Sequence, residues 1–464
     1  MPVKTRFSSS TEIFSWLSRF INLESGHIPK IPKTYRLDRM EILAELAGHP
    51  QRCAPSIHIA GSKGKGSVTG MIASVLEADG LRAARYMSPH ISDYRERVCL
   101  GNSFFSEAVY CAAGDELREL AEHKLPALKN GLFDPESDEG EALTFFELLT
   151  LFFFLCAGIG GCDIMVVETG MGGRLDCTNI VDPLVSVITL IELEHTAFLG
   201  NTVSAVAGEK AGIIKPGKPL VLARQNDEAL DVFRKRASEK NSPLFYFPEI
   251  ASIQNTRVFP DGTDFSLALG KEILPNLSIP IPGVVQAENA GLAVLTLKTA
   301  FPGIGDKAIR SGLKKLNIPA RFENIAGKLP LAQQPPFIID GAHTPESISR
   351  CARTFCSLYG KGILLFGCAA DKNAAAIADI LLPCFLHIII TAPGTFRVSD
   401  PEKAYQAFSS GKTILIKDTR EAIRKTLELS RETNLPVLCT GSFYLASEVR
   451  DAVLQSEQPP VTQP

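Results

Sequence analysis

Residues 56–71 read SIHIAGSKGKGSVTGM, and this stretch decides the fold. Ile57 and Ile59 alternate as in a short buried strand. The run breaks into Gly61-Ser62-Lys63-Gly64-Lys65-Gly66-Ser67, and from Ser67 the apolar spacing turns helical through Val68, Met71, Ile72 and Val75. Strand, glycine-rich loop and helix together make a cradle for phosphate. The glycines let backbone N–H groups close on an anion, the helix start adds its positive dipole end, and Lys65 supplies a mobile cation. The Ser67 hydroxyl can assist phosphate or Mg²⁺. Gly66 separates lysine from serine, so the spacing departs from the common G-x-x-x-x-G-K-[ST]. A solvated lysine on a glycine-rich turn is the bland reading. Two lysines and three glycines opening a helix after a strand favour a bound nucleoside triphosphate instead.

At 464 residues the chain is too long for one ordinary core, and two or three domains are expected. Hydrophobic residues make up 45%, charged residues 21%, and the formal net charge is −3. That profile is soluble and globular, without the basic field that recruits nucleic acid or acidic lipid. Eleven cysteines, an odd number with no C-x-x-C pair, fit reduced thiols in a cytoplasm better than disulfides or a zinc site. The start, MPVKTRFSSSTEIFSWLSRF, lacks the apolar centre of a secretory signal. It reads as an amphipathic helix with Ile13, Trp16, Leu17 and Phe20 on one face, a transit peptide being the alternative. A strongly apolar uncharged run, 148–162, has 15 residues. That is short of the ~20 needed to span a bilayer, so it reads as a buried helix end and no membrane partner is expected.

Outward from the glycine loop, β-type runs at 81–87, 163–167, 183–191 and 219–223 alternate with helical stretches and end in polar loops. Residues 107–160 read as helical, broken by an acidic loop at 134–141. Residues 243–282 carry short alternating runs with Gly and Pro punctuation and predict antiparallel strands, followed by a helix at 288–299. A junction falls near 318–321. Beyond it the rhythm restarts with strands at 337–339, 363–366, 387–391, 413–416 and 437–439, and with a helix capped by Asp418. The expected fold is α/β: a P-loop-type, mostly parallel sheet domain over residues 1–318, then a smaller Rossmann-like α/β domain over 319–464. Ligands are expected at strand C-termini. The tail at 458–464 reads as loose.

Four strand ends stand out. Glu168 ends an apolar run, where a carboxylate can hold Mg²⁺ across from the loop. His195 ends another beside Glu194, although a lone histidine there is more often a hydrogen-bonded structural residue. Lys210 would ordinarily be a solvated helix lysine. The second half opens its sheet on Ile339-Asp340-Gly341-Ala342-His343, a strand followed by a tight polar turn.

Ten segments in order resemble the folylpolyglutamate synthase and dihydrofolate synthase family, a branch of the Mur-type ATP-dependent amide ligases. They are GSKGKGS (61–67), SPHISDYRERV (88–98), TFFE (144–147), ETGMGGRLDCTN (168–179), HTAFLG (195–200), EKAGIIKPG (209–217), QAENA (286–290), ARFE (320–323), DGAHTPES (340–347) and TGSFYLASEVR (440–450). The resemblance implies that ATP phosphorylates a carboxylate of a folate or dihydropteroate and that L-glutamate displaces the phosphate. It implies that Gly61, Gly64, Lys65, Gly66 and Ser67 hold the ATP phosphates, with Lys65 catalytic. Asn289 would lie on the adenine side, Arg321 would reach phosphate from the linker, and Asp340 would contact ribose. Two Mg²⁺ ions are implied, one on Ser88 and Glu168, the other on His195 and Lys210, the lysine carrying a carbamate. His343 (catalytic) and Ser442 would face the incoming glutamate, and Arg97 and Phe146 would contact substrate. A cytoplasmic monomer is the default.

Five positions depart from the family pattern: Lys63 for asparagine, Thr169 for an apolar residue, Glu194 for aspartate, Val285 for histidine and Thr344 for asparagine. None removes an implied ligand. Two alternatives stay beside the main reading: a Mur-type ligase for a different acid, and a nucleotide-binding homologue that has lost catalysis. The second predicts loss of Lys65, Glu168, His195 or Lys210, and all four are present.

Overall fold

In the computed structural model, residues 6–22, 37–125, 143–328, 334–394 and 398–455 are described; the acidic loop at 134–141 and the tail at 458–464 lie outside them. The stretch from residue 56 forms β1 (Ser56–Ala60), buried along its whole length. Next come β2 (Ala83–Tyr86), β3 (Val98–Leu100), β4 (Ser103–Phe104), β5 (Ile164–Glu168), β6 (Val185–Ile188), β7 (Leu220–Leu222) and β8 (Leu244–Tyr246). They order as β4-β3-β2-β5-β1-β6-β7-β8, parallel from β2 to β8. The short β3 and β4 are antiparallel additions. The chain leaves β1 toward β2 and leaves β6 toward β7, in opposite directions. The loop after β1 therefore opens at the reversal point where parallel α/β sheets bind ligands.

A strand covered on both faces must be apolar on both. In β5, Ile164 and Val166 join one core and Met165 and Val167 the other. The first core holds the helices Lys65–Ala78, Val284–Ala300 and Asp306–Lys314. The second holds Ser10–Leu17, Leu37–Leu46, Glu107–Glu119 and Phe145–Ile159. The run expected as a buried helix end makes up most of the last of these, which is buried from Glu147 to Ala157. Thr144 caps it and Glu147 reaches back to the Thr144 N–H at 2.9 Å. Glu147 also pairs with the buried Arg39 at 2.8 Å; removing Arg39 takes from the buried carboxylate its ion-pair partner, at about 3–5 kcal/mol. Among the described residues no helix is long and apolar enough to cross a membrane. All eleven cysteines are free thiols.

Part of 243–282 differs from expectation. β8 extends the main sheet in parallel with β7, because its apolar LFY run lies close after the preceding helix. Only β9 (Ala251–Phe259), β10 (Gly262–Leu269) and β11 (Glu272–Ile279) form the antiparallel meander. The smaller sheet comprises β12 (Glu323–Asn324), β13 (Phe337–Ile339), β14 (Gly362–Phe366), β15 (Phe385–Ile390), β16 (Thr413–Leu415) and β17 (Val437–Thr440). It orders as β12-β13-β17-β14-β15-β16, with only β12 antiparallel. Asp418 accepts the Glu421 N–H at 2.8 Å and starts the helix Thr419–Thr433. The whole is a mixed α/β fold with a large, mostly parallel sheet and a second α/β unit.

Candidate active site

The ends of both sheets line one cleft of about 1850 Å³. Its floor is the loop after β1. A Cβ on Gly61 would fall 1.8 Å from Thr189 Oγ1, and one on Gly64 (φ 90°) 2.7 Å from Asn289 Oδ1, so neither position admits a side chain. The left-handed Gly64 ends the loop, and the helix begins at Lys65, two residues before the apolar spacing turns helical. Lys65 folds back, its Nζ donating to the Gly61 carbonyl at 3.0 Å. The N–H groups of Ser62 and Lys63 donate to the Leu190 carbonyl at 2.9 and 3.1 Å, tying the loop to the exit of β6. Gly66 and Ser67 line the cleft, as does Asn289, whose Nδ2 donates to Gln286.

Glu168 ends β5 beside this loop and is 3% exposed. Desolvation pushes its carboxyl up to about 7, against the lowering fields of Lys65 and Arg321 and a hydrogen bond from the Ser88 N–H. The carboxylate and Ser88 thus meet, as implied. Among the described residues Glu168 Oε2 is buried without a hydrogen-bond partner, and its lone pairs suit a cation. Asp176 braces the following loop by accepting the N–H groups of Met171 (2.9 Å) and Thr178 (3.0 Å). Lys210, fully buried, donates from Nζ to the Gly61 carbonyl and to Glu194 Oε1, both at 2.8 Å. Desolvation lowers the lysine to about 8 against the raising field of Glu194. Desolvation works to raise Glu194, but Lys210, Lys65 and His195 together hold it below the usual carboxylate range. His195, open to the cleft, is pulled below its ordinary value by desolvation, with Lys65 and Lys210 adding to the effect and Glu194 opposing it.

No group of three or more His, Cys, Asp or Glu side chains among the described residues could hold a metal ion by itself. Mg²⁺ keeps waters and binds through one or two carboxylates plus substrate phosphates. The orphaned Glu168 oxygen beside the loop is a fitting donor for it.

From the other side, Arg321 already lies against the loop: a Cβ on Gly66 would sit 3.5 Å from Glu168 Oε2 and 3.6 Å from Arg321 Nη2. The guanidinium stacks on Phe443 at 4.4 Å. Asp340 accepts the Phe322 and Ala342 N–H groups, each at 2.8 Å, and so fixes the linker. His343 Nδ1 lies 2.8 Å from the Gly341 carbonyl, which can only accept, so Nδ1 carries the proton and Nε2 is the acceptor of the neutral ring. Desolvation, then Lys63, holds that ring neutral, its pKa near 3. Ser442 lines the cleft and its Oγ accepts the Tyr444 N–H at 3.1 Å.

Two of the implied substrate residues diverge. Phe146 lines the cleft, its ring against Gly170. Arg97 is 2% exposed, does not line the cleft, donates to His90 Nδ1 at 3.0 Å and lies 5.6 Å from the Phe145 ring. Sequence reasoning missed Lys372, a cleft residue paired with Asp371 at 3.0 Å, and the Arg350–Glu192 ion pair at 2.8 Å that joins the two α/β units. Lys372 follows β14, and the strand-end rule applied to CAADKN would have found it; nothing local announces a pair 158 residues apart.

A P-loop sheet whose cleft is closed by a second α/β unit defines an amide ligase of the Mur type. Two family models agree: the Mur ligase middle domain matches residues 136–297, and the Mur ligase glutamate ligase domain matches 320–443. Folylpolyglutamate synthase of Lacticaseibacillus casei is 32% identical over 434 residues, covering 92% of this chain and 96% of that protein. Dihydrofolate synthase/folylpolyglutamate synthase of Bacillus subtilis is 32% identical over 422 residues, covering 89% and 94%. The structure of Mycobacterium tuberculosis folylpolyglutamate synthase complexed with ADP superposes with a TM-score of 0.83 at 27% identity, covering 98% of this chain and 99% of that one. The chain belongs to the folylpolyglutamate synthase and dihydrofolate synthase family, whose members are ATP-dependent glutamate ligases.

Proposed function

We propose that this chain joins L-glutamate to the carboxylate of a folate or of dihydropteroate through an acyl phosphate, with residues 1–318 carrying ATP and the pterin acid and 319–464 receiving glutamate. One observation carries the reading: Lys65, Glu168 and His195 from one α/β unit and Arg321, His343 and Ser442 from the junction and the other unit line a single cleft. Gly61, Gly64, Gly66 and Ser67 cradle the phosphates, Lys65 offsets their charge, and Asn289 and Asp340 border the nucleoside. A carboxylate oxygen of the acid forms the new bond to the γ-phosphorus. The bond to the β–γ bridging oxygen breaks, and ADP keeps the electron pair. The neutral amine of glutamate then attacks the acyl carbon. The C–O bond breaks, phosphate leaves with its electron pair, and the amine proton ends on it as HPO₄²⁻. His343, neutral with Nε2 as its acceptor, orients the amine by accepting one of its N–H bonds.

Ser88 and Glu168, and His195 with Lys210, would hold Mg²⁺, which would supply positive charge to the phosphoryl oxygens. A carbamate on Lys210 would turn that ammonium into an oxygen donor. The low pKa imposed by burial supports it, since the free amine is the form that reacts with CO₂. Eleven free thiols support a reducing cytoplasm, and a monomer is the default assembly. The test is ADP release with dihydropteroate or tetrahydrofolate, with and without glutamate. Glutamate-dependent release with either acid is expected; release with neither would overturn the reading.

A further inference from the structure

We propose that Lys63 is a catalytic residue, contacting the phosphoryl group once it has passed to the acid and holding the acyl phosphate while glutamate attacks; this rests on the ligase reading above and adds a residue to it. Lys63 belongs to the loop, not to the helix that follows. Its backbone is fixed by an isolated bridge to Leu190, with the N–H donating to the Leu190 carbonyl at 3.1 Å. The residue is therefore positioned by its main chain, and its side chain lines the cleft.

The two lysines of the loop differ in what holds them. Lys65 Nζ is tied to the Gly61 carbonyl. The Lys63 ammonium makes no hydrogen bond or ion pair among the described residues, although desolvation already lowers its pKa. The carboxylates whose fields it feels are engaged elsewhere: Glu194 with Lys210 and Glu192 with Arg350, each at 2.8 Å. Half-buried cations without partners are costly, and the cost disappears when an anion joins them.

Their surroundings differ as well. Lys65 acts on Glu168, His195 and Lys210, the group assigned to nucleotide and metal. Lys63 is the strongest charge acting on His343 of the second unit, and both feel Lys372. Lys63 thus lies between the ATP loop and the histidine that faces glutamate. The anion the reaction creates there is the acyl phosphate. Negative charge stays on its oxygens after transfer and grows on the departing oxygen when the C–O bond breaks. An ammonium at that point stabilises both.

The test uses the full chain with ATP, Mg²⁺, glutamate and whichever acid the wild type accepts. Lys63→Met is expected to lower kcat by about 10²-fold, with KM for ATP changed by less than about threefold. Positional isotope exchange in β–γ-bridge-labelled ATP, run with the acid but without glutamate, should fall in parallel. The melting temperature should stay at the wild-type value, and Lys63→Arg should recover part of the loss. A Lys63→Met enzyme with wild-type kcat overturns the proposal. So does a loss confined to KM for ATP, or a loss that follows a lowered melting temperature while isotope exchange is kept. Wild-type enzyme that turns over no acid would instead sink the ligase reading, so the two failures are distinguishable.

Discussion

The two parallel sheets end on the same cleft with opposite chemistry. The larger ends in charge: Lys65, Glu168, and the Lys210–Glu194 pair beside His195. The smaller ends in neutral or already satisfied groups: a histidine held uncharged, a serine, and an aspartate whose two oxygens both accept backbone N–H bonds. Phosphoryl transfer is controlled by charge, so fixed cations and carboxylates belong on the nucleotide side. Capture of an amine requires an uncharged acceptor and a fixed loop. On the proposed reading, the division of labour in this ligase follows the division of charge across one cleft.

If that division is correct, the largest loss follows from removing the cation on the charged side. Lys65→Ala is expected to lower kcat by about 10³-fold while the melting temperature barely moves, since the side chain contributes one hydrogen bond to its own loop. ADP release and a thermal melt check it. Normal turnover would remove the loop from the mechanism.

Lys210→Ala tests the buried part of the same side and should cost both activity and stability. Glu194 would lose its only ion-pair partner among the described residues, at about 3–5 kcal/mol. Activity should fall by about 10²-fold. If Lys210 carries a carbamate in the working enzyme, short carboxylic acids should restore part of the rate by filling the vacated space. Electron density at high resolution, with nucleotide and Mg²⁺ bound, separates the modified lysine from the Glu194 pair. An unmodified side chain in a turnover-competent crystal refutes the carbamate.

Much of this was legible in the sequence, and the exceptions have physical reasons. β1, β5, β6 and β7 are buried along their whole lengths, so their apolar residues recur closely enough to be read in the chain. The helix at Val284–Ala300 begins four residues before its expected start because Gly283, at φ 132°, sets its entry, not a polar cap. β8 was hidden because a three-residue strand carries too little periodicity to reveal its direction. Glu168, His195, Asp340 and His343, singled out at strand ends, all line the cleft, because strand ends are local features of the chain. The Lys210–Glu194 and Arg350–Glu192 pairs arise from how separate elements meet, which no spacing encodes; Lys372 sits just past a strand end and was within reach of the same rule. Arg97 shows the reverse: its motif matches the family, yet its guanidinium is buried against Phe145 and His90, away from the cleft wall.

Arg321 joins the two sides, and a smaller effect is expected there. Its guanidinium already reaches Gly66 and rests on Phe443, so Arg321→Ala should lower kcat/KM for ATP by about 10-fold without unfolding either unit. Unchanged ATP kinetics would mean that the charged side is complete without the linker.

The smallest effect concerns the core beneath the charged side. His58 lies in β1, three residues before the loop, and its Nε2 is 2.8 Å from Thr178 Oγ1. The Thr178 hydroxyl already donates to Asp176, so Nε2 must be the donor to Thr178. That leaves Nδ1 unprotonated, buried and, among the described residues, without a partner. A proton there would be an unpaired buried charge, and desolvation, with Lys215 adding to it, holds the pKa down to about 3. The unfolded chain binds this proton near the ordinary value of about 6.5. Between those values the unfolded state holds more protons than the folded one, so stability is present above about pH 6.5 and falls with pH. The loss should reach roughly 2 kcal/mol at pH 5. Trp16, the only tryptophan, is buried in the larger unit and reports its unfolding by fluorescence. His58→Gln, which keeps a donor near Thr178 but cannot titrate, should flatten the acid slope of that transition. Equal slopes in the two proteins would show that acid acts elsewhere, on the cleft rather than on the strand that supports it.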